Sequence, residues 1–153
     1  MQSKLAAFKV DRRSITVAVF RGQTLDYIDV QHLSNVPKVA VEAVERFIGW
    51  VVENFHPEMA ALSVGDEEGD QRLRAQTLTE SAEKYLLKQG VPIWKIDDSQ
   101  LLESYAVPHV ANKHELRQIA HSMWPYIGSQ HQPALDAALV GLFVQTERLL
   151  SDH

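Results

Sequence analysis

The sequence contains no cysteine, so disulfide bonds and thiolate metal sites are excluded. A reducing compartment is the expectation for such a chain, since disulfides persist mainly in oxidising ones. A long apolar run near the start is also missing, because Lys9 and Asp11 interrupt the apolar positions that begin at Leu5. That stretch is shorter than the core of a signal peptide or a membrane span. We therefore expect a cytoplasmic protein without a membrane segment.

Positive charge is scarce: 15 Lys and Arg face 20 Asp and Glu, for a formal net charge of −5. This balance argues against a general nucleic-acid coat protein, because non-specific affinity comes mainly from phosphate neutralisation by basic side chains. A nuclease is not excluded, since its acidic site binds cations before it meets phosphate. The seven histidines lack zinc-ligand spacing, and the sequence has no Gly-rich phosphate loop, serine elbow or Cys-His pair.

Hydrophobic residues make up 45% of the 153 positions. This content and length suit one domain with a single core over residues 1–153. Apolar and β-branched runs bounded by turn residues predict five strands, the first three of them an antiparallel meander. The third run alternates polar and apolar side chains, which is typical of an edge strand. The predicted strands are 5–10, 14–20, 24–32, 59–64 and 91–96.

Helical periodicity separates and follows the later strands. Pro37 supplies a rigid first helical position, and His56-Pro57 ends that helix. The sequence from Thr77 to Glu80 has capping-box spacing, and Gly90 fits a left-handed C-terminal cap. The predicted helices are 37–55, 77–89, about 101–105, 112–126 and 133–150. Trp50, Trp94 and Trp124 have spacing typical of core packing.

This order of elements resembles the ribonuclease H-like fold, an α/β architecture in which helices flank a mixed five-stranded sheet in three layers. Within that fold the chain resembles the RuvC-type Holliday junction resolvases, and the resemblance covers most of its length. Four segments carry it: Leu5–Phe20, LTESAEKYLLKQGVPIWKIDDSQLLES, NKHELRQIAHSMW and QHQPALDAALVGLF. The resemblance places the family's first catalytic aspartate at Asp11 and its last acidic residue at Asp136.

The chain also departs from the family's pattern. Arg12-Arg13 stands where the family has Pro-Gly, the strand-end glutamate falls near Ser63, and the other helix aspartate falls at Pro133. Two of the family's four acidic positions are therefore retained.

The resemblance implies hydrolysis of a phosphodiester bond with two divalent ions, Mg²⁺ or Mn²⁺, about 3.5 to 4 Å apart. Such ions need oxygen ligands, and Asp11 and Asp136 are the candidates for both metal binding and catalysis. Each has a structural alternative. Asp11 suits a turn at the end of its strand, and Asp136 suits the first turn of a helix, where the helix dipole favours a carboxylate.

Further acidic or titratable groups would be needed to complete such a site. Asp66, Glu67 or Glu68 follows closely on Ser63 and could fill the missing place, although an acidic cluster of this kind also suits a solvated loop. His131 is a candidate water activator or ligand, because imidazole titrates near neutrality. A solvent-facing histidine ahead of a helix is the alternative.

Basic residues near the acidic positions are candidates for binding DNA phosphates. Lys113 and Arg117 recur at a four-residue step that also includes His121, and Arg12 and Arg13 follow the first aspartate. A solvated charged helix face is the alternative for the first three.

Two functions from different classes follow. The first is a resolvase-like, divalent-metal-dependent endonuclease that acts on branched or structured DNA. The second is a resolvase-like domain without catalysis that serves as a binding or assembly module. In both we expect a homodimer.

Overall fold

The structure is a computed structural model that describes residues 3–64, 70–97, 113–127 and 132–151. Five strands and four helices are formed within these residues. In chain order they are β1 (Lys4–Val10), β2 (Ser14–Arg21), β3 (Thr24–His32), α1 (Pro37–Phe55), β4 (Met59–Val64), α2 (Asp70–Lys88), β5 (Ile93–Asp97), α3 (Lys113–Met123) and α4 (Gln132–Ser151).

The strands form one mixed sheet with the order β3-β2-β1-β4-β5. β1 pairs with β2 and β2 with β3 in antiparallel fashion, whereas β1 with β4 and β4 with β5 are parallel. The apolar β1 is therefore central and buried on both faces, as parallel pairing with helical crossovers favours. The predicted mixed five-stranded sheet is confirmed, with β3 at its edge.

Helices cover both faces of the sheet. On one face, Phe8 and Val10 of β1 belong to an apolar cluster that includes the buried sides of α1 and α2. On the other, Leu5 and Ala7 belong to a second cluster with the buried residues of α3 and α4. Alternate strand residues serve opposite faces because the side-chain period of a strand is two. The three-layer arrangement predicted from the sequence is confirmed.

Several predicted boundaries are wrong. α2 begins at Asp70, not at Thr77. The Thr77 hydroxyl donates a 2.9 Å hydrogen bond to the Leu73 carbonyl, a back-bond typical of threonine inside a helix and not of a capping box. Gly90 does adopt the expected left-handed conformation, with φ of 78°. β5 runs over Ile93–Asp97, later than the predicted 91–96.

The C-terminal half and the tryptophans also differ in part from prediction. α3 is shorter than the predicted 112–126, because it ends at Met123. A turn follows, in which the Ile127 N–H donates to the Trp124 carbonyl. The helix expected near 101–105 lies outside the described residues. Trp124 packs in the core on the α3 and α4 side, and Trp94 is partly buried against that core. Trp50 is 46% exposed and contacts Tyr27 and Phe55, so its assignment to the core was wrong.

Among the helices in the described part of the chain, none combines the length and the apolarity needed to cross a membrane.

Candidate site at the end of the central strand

Helix α4 packs closely enough on the sheet to bring its first turns over β1. The contact centres on Gly141, where an added Cβ atom would lie 2.3 Å from Phe20 Cε2 and 3.2 Å from Ala7 Cβ. A residue without a side chain is required for this approach. Asp136, on the same helix, is thereby held against β1 and is 3% exposed.

The partner of Asp136 is a lysine inside the central strand. Lys9 Nζ donates to Asp136 Oδ2 at 2.7 Å, and the two side chains are only 10% and 4% exposed. Lys9 shares its strand phase with Leu5 and Ala7, so its side chain is on the α4 face of the sheet. Burial of either charge alone would be costly, and pairing offsets that cost.

Lys9 belongs to a row of polar residues that crosses this face of the sheet. In the strand register Lys9 is opposite Thr16 of β2 and Ser63 of β4. Thr16 is 0%, Lys9 8% and Ser63 2% exposed. Thr16 Oγ1 is a buried atom without a hydrogen-bond partner in the described residues. Such orphaned polar atoms are rare in protein interiors and single out this row.

Asp11 follows β1 and organises the turn into β2. Its Oδ1 accepts hydrogen bonds from the backbone N–H groups of Arg13 and Ser14, both at 2.8 Å. The Ser14 hydroxyl lies 3.2 Å from Oδ1 and 3.1 Å from Oδ2. The Asp11 N–H itself donates to the Ser14 carbonyl at 3.0 Å. This arrangement is that of an aspartate-stabilised turn, the structural alternative considered from the sequence.

A second side chain fixes the same turn from helix α2. Arg74 Nε donates to the Arg12 carbonyl at 2.9 Å and Nη1 to the Asn35 carbonyl at 3.1 Å. Its Nη2 also donates to the Ser34 carbonyl. One guanidinium therefore ties the β1–β2 turn to the segment that leads into α1, using the several fixed donors that arginine offers.

The basic residues predicted to bind DNA lie in two places, the β1–β2 turn and helix α3. Arg13 on the β1–β2 turn is exposed and Arg12 is partly exposed. Lys113 and Arg117 are in α3, but their side chains are outside the described part of the chain. The Nδ1 atom of His121 lies 3.0 Å from the Ile127 carbonyl, which supports a structural role at the end of α3.

The predicted acidic and titratable partners fall outside the structure's coverage. Asp66 and its acidic neighbours lie in 65–69, and His131 lies in 128–131, both outside the described residues. The metal and catalytic roles of Asp11, Asp136, Asp66 and His131 stay predictions.

The donors that the structure describes do not suit a two-ion centre. In residues 3–64, 70–97, 113–127 and 132–151, no group of three or more acidic, histidine or cysteine side chains is arranged to hold a metal. An ammonium group lies 2.7 Å from one oxygen of Asp136, and Asp11 accepts the hydrogen bonds of its own turn. Mg²⁺ and Mn²⁺ prefer several oxygen ligands, so Lys9 competes for the same carboxylate.

Lys9, Thr16 and Arg74 were missed by sequence reasoning. Lys9 carried a signal, because a lysine in phase with Leu5 and Ala7 on a buried strand requires a buried counter-charge. Thr16 became recognisable only through the pairing register. Arg74 is one basic residue of a polar helix, and nothing in the sequence indicates its three carbonyl partners.

Comparisons with known proteins identify the architecture. No family model matches the chain. No curated protein matches it either. RuvC from Thermus thermophilus in complex with a Holliday junction substrate superposes with a TM-score of 0.77 at 15% identity, over 96% of this chain and 96% of that one.

Two further solved structures agree with that match. A second structure of T. thermophilus RuvC gives a TM-score of 0.79 at 15% identity, over 95% of this chain and 96% of that one. The yeast mitochondrial Holliday junction resolvase Ydc2 gives 0.66 at 10% identity, over 98% of this chain and 83% of that one. The chain therefore has the ribonuclease H-like fold of the RuvC-type Holliday junction resolvases.

Proposed function

We propose that this protein is a RuvC-like module that binds branched or otherwise structured DNA without cleaving it. The observation that carries the proposal is the use of Asp11, which binds the N–H groups of Arg13 and Ser14 and so shapes the β1–β2 turn. The residue that the resemblance places at a catalytic aspartate thus shapes the turn that carries two arginines. The structurally similar T. thermophilus RuvC is bound to a Holliday junction substrate, and this supports DNA of that kind as the ligand.

The β1–β2 turn is suited to phosphate binding because its backbone is fixed in advance. Asp11 holds it from within and Arg74 holds it from α2. Within the described parts of the chain, neither Arg12 nor Arg13 forms an ion pair, so both guanidinium groups are available. Because the backbone of the turn is already fixed, binding there loses less backbone entropy than binding to a mobile loop. The arginine pair also concentrates positive charge on an otherwise acidic protein.

We propose that the protein does not cleave DNA because the Asp136 carboxylate is already paired with a cation, the Lys9 ammonium. The two side chains form a nearly buried ion pair. Two-ion hydrolysis requires carboxylates that hold cations at both the attacking and the leaving oxygen. With one candidate paired to an ammonium and the other forming a turn, that requirement is not supported by the described residues.

The proposal is tested with a fluorescent four-way DNA junction, by anisotropy for binding and by denaturing gels for cutting. We expect salt-sensitive binding and intact strands in Mg²⁺ or Mn²⁺. Changing Arg12 and Arg13 together to Gln should lower affinity about tenfold and reduce the salt slope by about 2. Arg21→Gln is the matched control, since Arg21 lies at the other end of β2, and it should change affinity much less. Equal losses for both variants would contradict a site at the turn.

The second candidate is a divalent-metal-dependent endonuclease. It is favoured by one observation, the contact between Asp136 and Lys9, which puts Asp136 near the end of β1 that leads to Asp11. Asp66 and His131 would then complete the site with Mg²⁺ or Mn²⁺. Junction cutting that requires either metal and is abolished by Asp11→Asn would establish this candidate and overturn the first.

A homodimer and a cytoplasmic location also belong to the proposal. Exposed apolar side chains at the starts of α1 and α2 support self-association: Val36 is 55%, Val39 43% and Leu73 67% exposed. Arg74, next to Leu73, contacts the carbonyl of Asn35, next to Val36, which brings the two helix starts together, and a contiguous apolar patch often marks an interface. Sedimentation velocity should give a dimer for the wild type and a monomer for Leu73→Glu. A wild-type monomer at micromolar concentration would remove the dimer from the proposal.

A further inference from the structure

The ion pair between Lys9 and Asp136 places a positive charge at the residue where the resemblance to the resolvases implies a divalent ion. Lys9 Nζ lies 2.7 Å from Asp136 Oδ2, and both side chains are nearly buried. The strand register fixes the Lys9 backbone between Thr16 and Ser63, and the ion pair holds its Nζ against Asp136. This cationic group is therefore covalently attached to the central strand, unlike an exchangeable ion.

Lys9 and a divalent ion at Asp136 exclude each other on electrostatic grounds. One ammonium neutralises one carboxylate, so the pair carries no net charge. Adding a divalent ion to Asp136 would bring two like-signed cations together in a setting where water screens them poorly. It would also require the ion to give up water for an oxygen already bound by Lys9.

Two hydroxyl-bearing residues flank Lys9 in the strand register. Thr16 Oγ1 is fully buried and has no hydrogen-bond partner in the part of the chain that the structure describes. Ser63 is also buried and lies in the same row on the opposite side of Lys9. With Asp136, these side chains offer the carboxylate and hydroxyl oxygens that hard cations accept.

We infer that Lys9 is a tethered cation that occupies a latent divalent-cation site, and that removal of its ammonium allows Asp136 to bind Mn²⁺ or Mg²⁺. The inference rests on the proposed function and deepens it, because it gives the reason why the module does not cleave. It also assigns Lys9 a role that the resemblance to the resolvases does not supply.

The experiment measures Mn²⁺ binding to the purified protein by the electron paramagnetic resonance signal of free Mn²⁺. Wild type, Lys9→Met and Lys9→Met/Asp136→Asn are compared, with folding checked by circular dichroism. Lys95→Met is the matched control, because Lys95 pairs with Glu83 at a similar 2.8 Å but with 54% and 27% of the side chains exposed. It removes one lysine charge from an ion pair without opening a buried site.

We expect Lys9→Met to bind Mn²⁺ at least about tenfold more tightly than wild type. The gain should be absent in Lys95→Met and lost again in Lys9→Met/Asp136→Asn. Equal Mn²⁺ affinity in wild type and Lys9→Met overturns the inference, and so does a gain that survives the Asp136 change. If Lys9→Met does not fold, Mn²⁺ broadening of the Asp136 amide resonance in wild type decides the question. Broadening overturns the inference, whereas a sharp resonance supports it.

DNA does not enter this measurement. A protein that fails to bind junctions but gains Mn²⁺ on loss of Lys9 would refute the proposed function and leave the tethered cation standing. Junction binding with unchanged Mn²⁺ affinity would do the reverse.

Discussion

The two faces of the sheet are built from the same strands but differ in what they bury. On the face covered by α1 and α2, the buried strand residues are apolar, as at Phe8, Val10 and Val17. On the face covered by α3 and α4, a polar row interrupts the apolar layer at Thr16 and Lys9. Buried polar groups cost free energy unless they are paired, so an all-apolar layer would serve stability alone. Stability alone therefore does not account for the polar row on this face.

The largest effect should come from separating the buried ion pair. Lys9→Met leaves the Asp136 carboxylate buried without its cation and should lower the free energy of unfolding by about 3 to 5 kcal/mol. The double variant Lys9→Met/Asp136→Leu removes both charges and should recover most of that loss. Urea unfolding measures both. A single variant that loses less than the double variant would mean that the pair contributes nothing through its charges.

A smaller difference in stability is expected between alanine variants of two closely packed helix glycines, Gly141 against the sheet and Gly49 against α2. Gly141→Ala places its Cβ 2.3 Å from the Phe20 ring, and relief requires movement of a buried side chain or of α4. The expected loss is about 1 to 3 kcal/mol. In Gly49→Ala of α1 the added Cβ would lie nearest to the Tyr85 hydroxyl, at 2.9 Å, which is the end of a flexible side chain. Alanine's helical preference, about 1 kcal/mol over glycine, should make that change neutral or stabilising.

Thermal and urea unfolding of the two glycine variants test how tightly each helix is docked. Equal destabilisation by Gly141→Ala and Gly49→Ala would contradict the closer approach of α4 to the sheet.

Thr16 and Val17 are adjacent on β2 and face opposite sides of the sheet, so a hydroxyl can be removed from one face and added to the other. Val17 is buried in the apolar layer, and Val17→Thr adds a hydroxyl there at a cost of about 1 to 3 kcal/mol. Thr16→Val removes the orphaned hydroxyl from the polar row and should change stability by less than about 1 kcal/mol, in the stabilising direction. Urea unfolding of both variants measures the contrast. A large loss for Thr16→Val would show that its hydroxyl is hydrogen-bonded in solution.

The fold was predictable from the sequence because its signals are local. The apolar run that becomes β1 and the alternating run that becomes β3 each indicate their own burial. The start of α2 was misjudged because Thr77 and Glu80 match a capping box wherever they occur, and nothing local shows that the helix has already begun. Helix ends depend on such competition between local hydrogen bonds and continued packing.

The site was predictable only in part, because its contacts join distant parts of the chain. Asp11 and Asp136 could be placed at the end of β1 and at the start of α4. The partner of Asp136, however, is 127 positions away in sequence. Arg74 reaches the Arg12 carbonyl across 62 positions. Pairings of this kind follow from the assembled topology, and no spacing rule anticipates them.

The smallest predicted effect concerns the rim of the apolar face, where Tyr27 of edge strand β3 packs against the α1 cluster. Burial, followed by a hydrogen bond to Asp29 and the charge of that carboxylate, raises the pKa of Tyr27 above its ordinary value of 10.0. Because the folded state favours the neutral phenol, this stabilisation is complete below pH 10 and is lost as the pH rises through the raised pKa.

Asp29→Asn should lower the pKa of Tyr27 towards the ordinary value without restoring it, since burial is the larger cause and remains. Spectrophotometric titration of the tyrosinate measures the change. Asp26→Asn is the control, because Asp26 is also on β3 but pairs with Arg21. If both variants shift the pKa of Tyr27 equally, the general negative charge of the strand acts on Tyr27 and the hydrogen bond does not. Tyr27 would then make no specific polar contact at its part of the rim, which would sharpen the contrast with the face that holds Lys9.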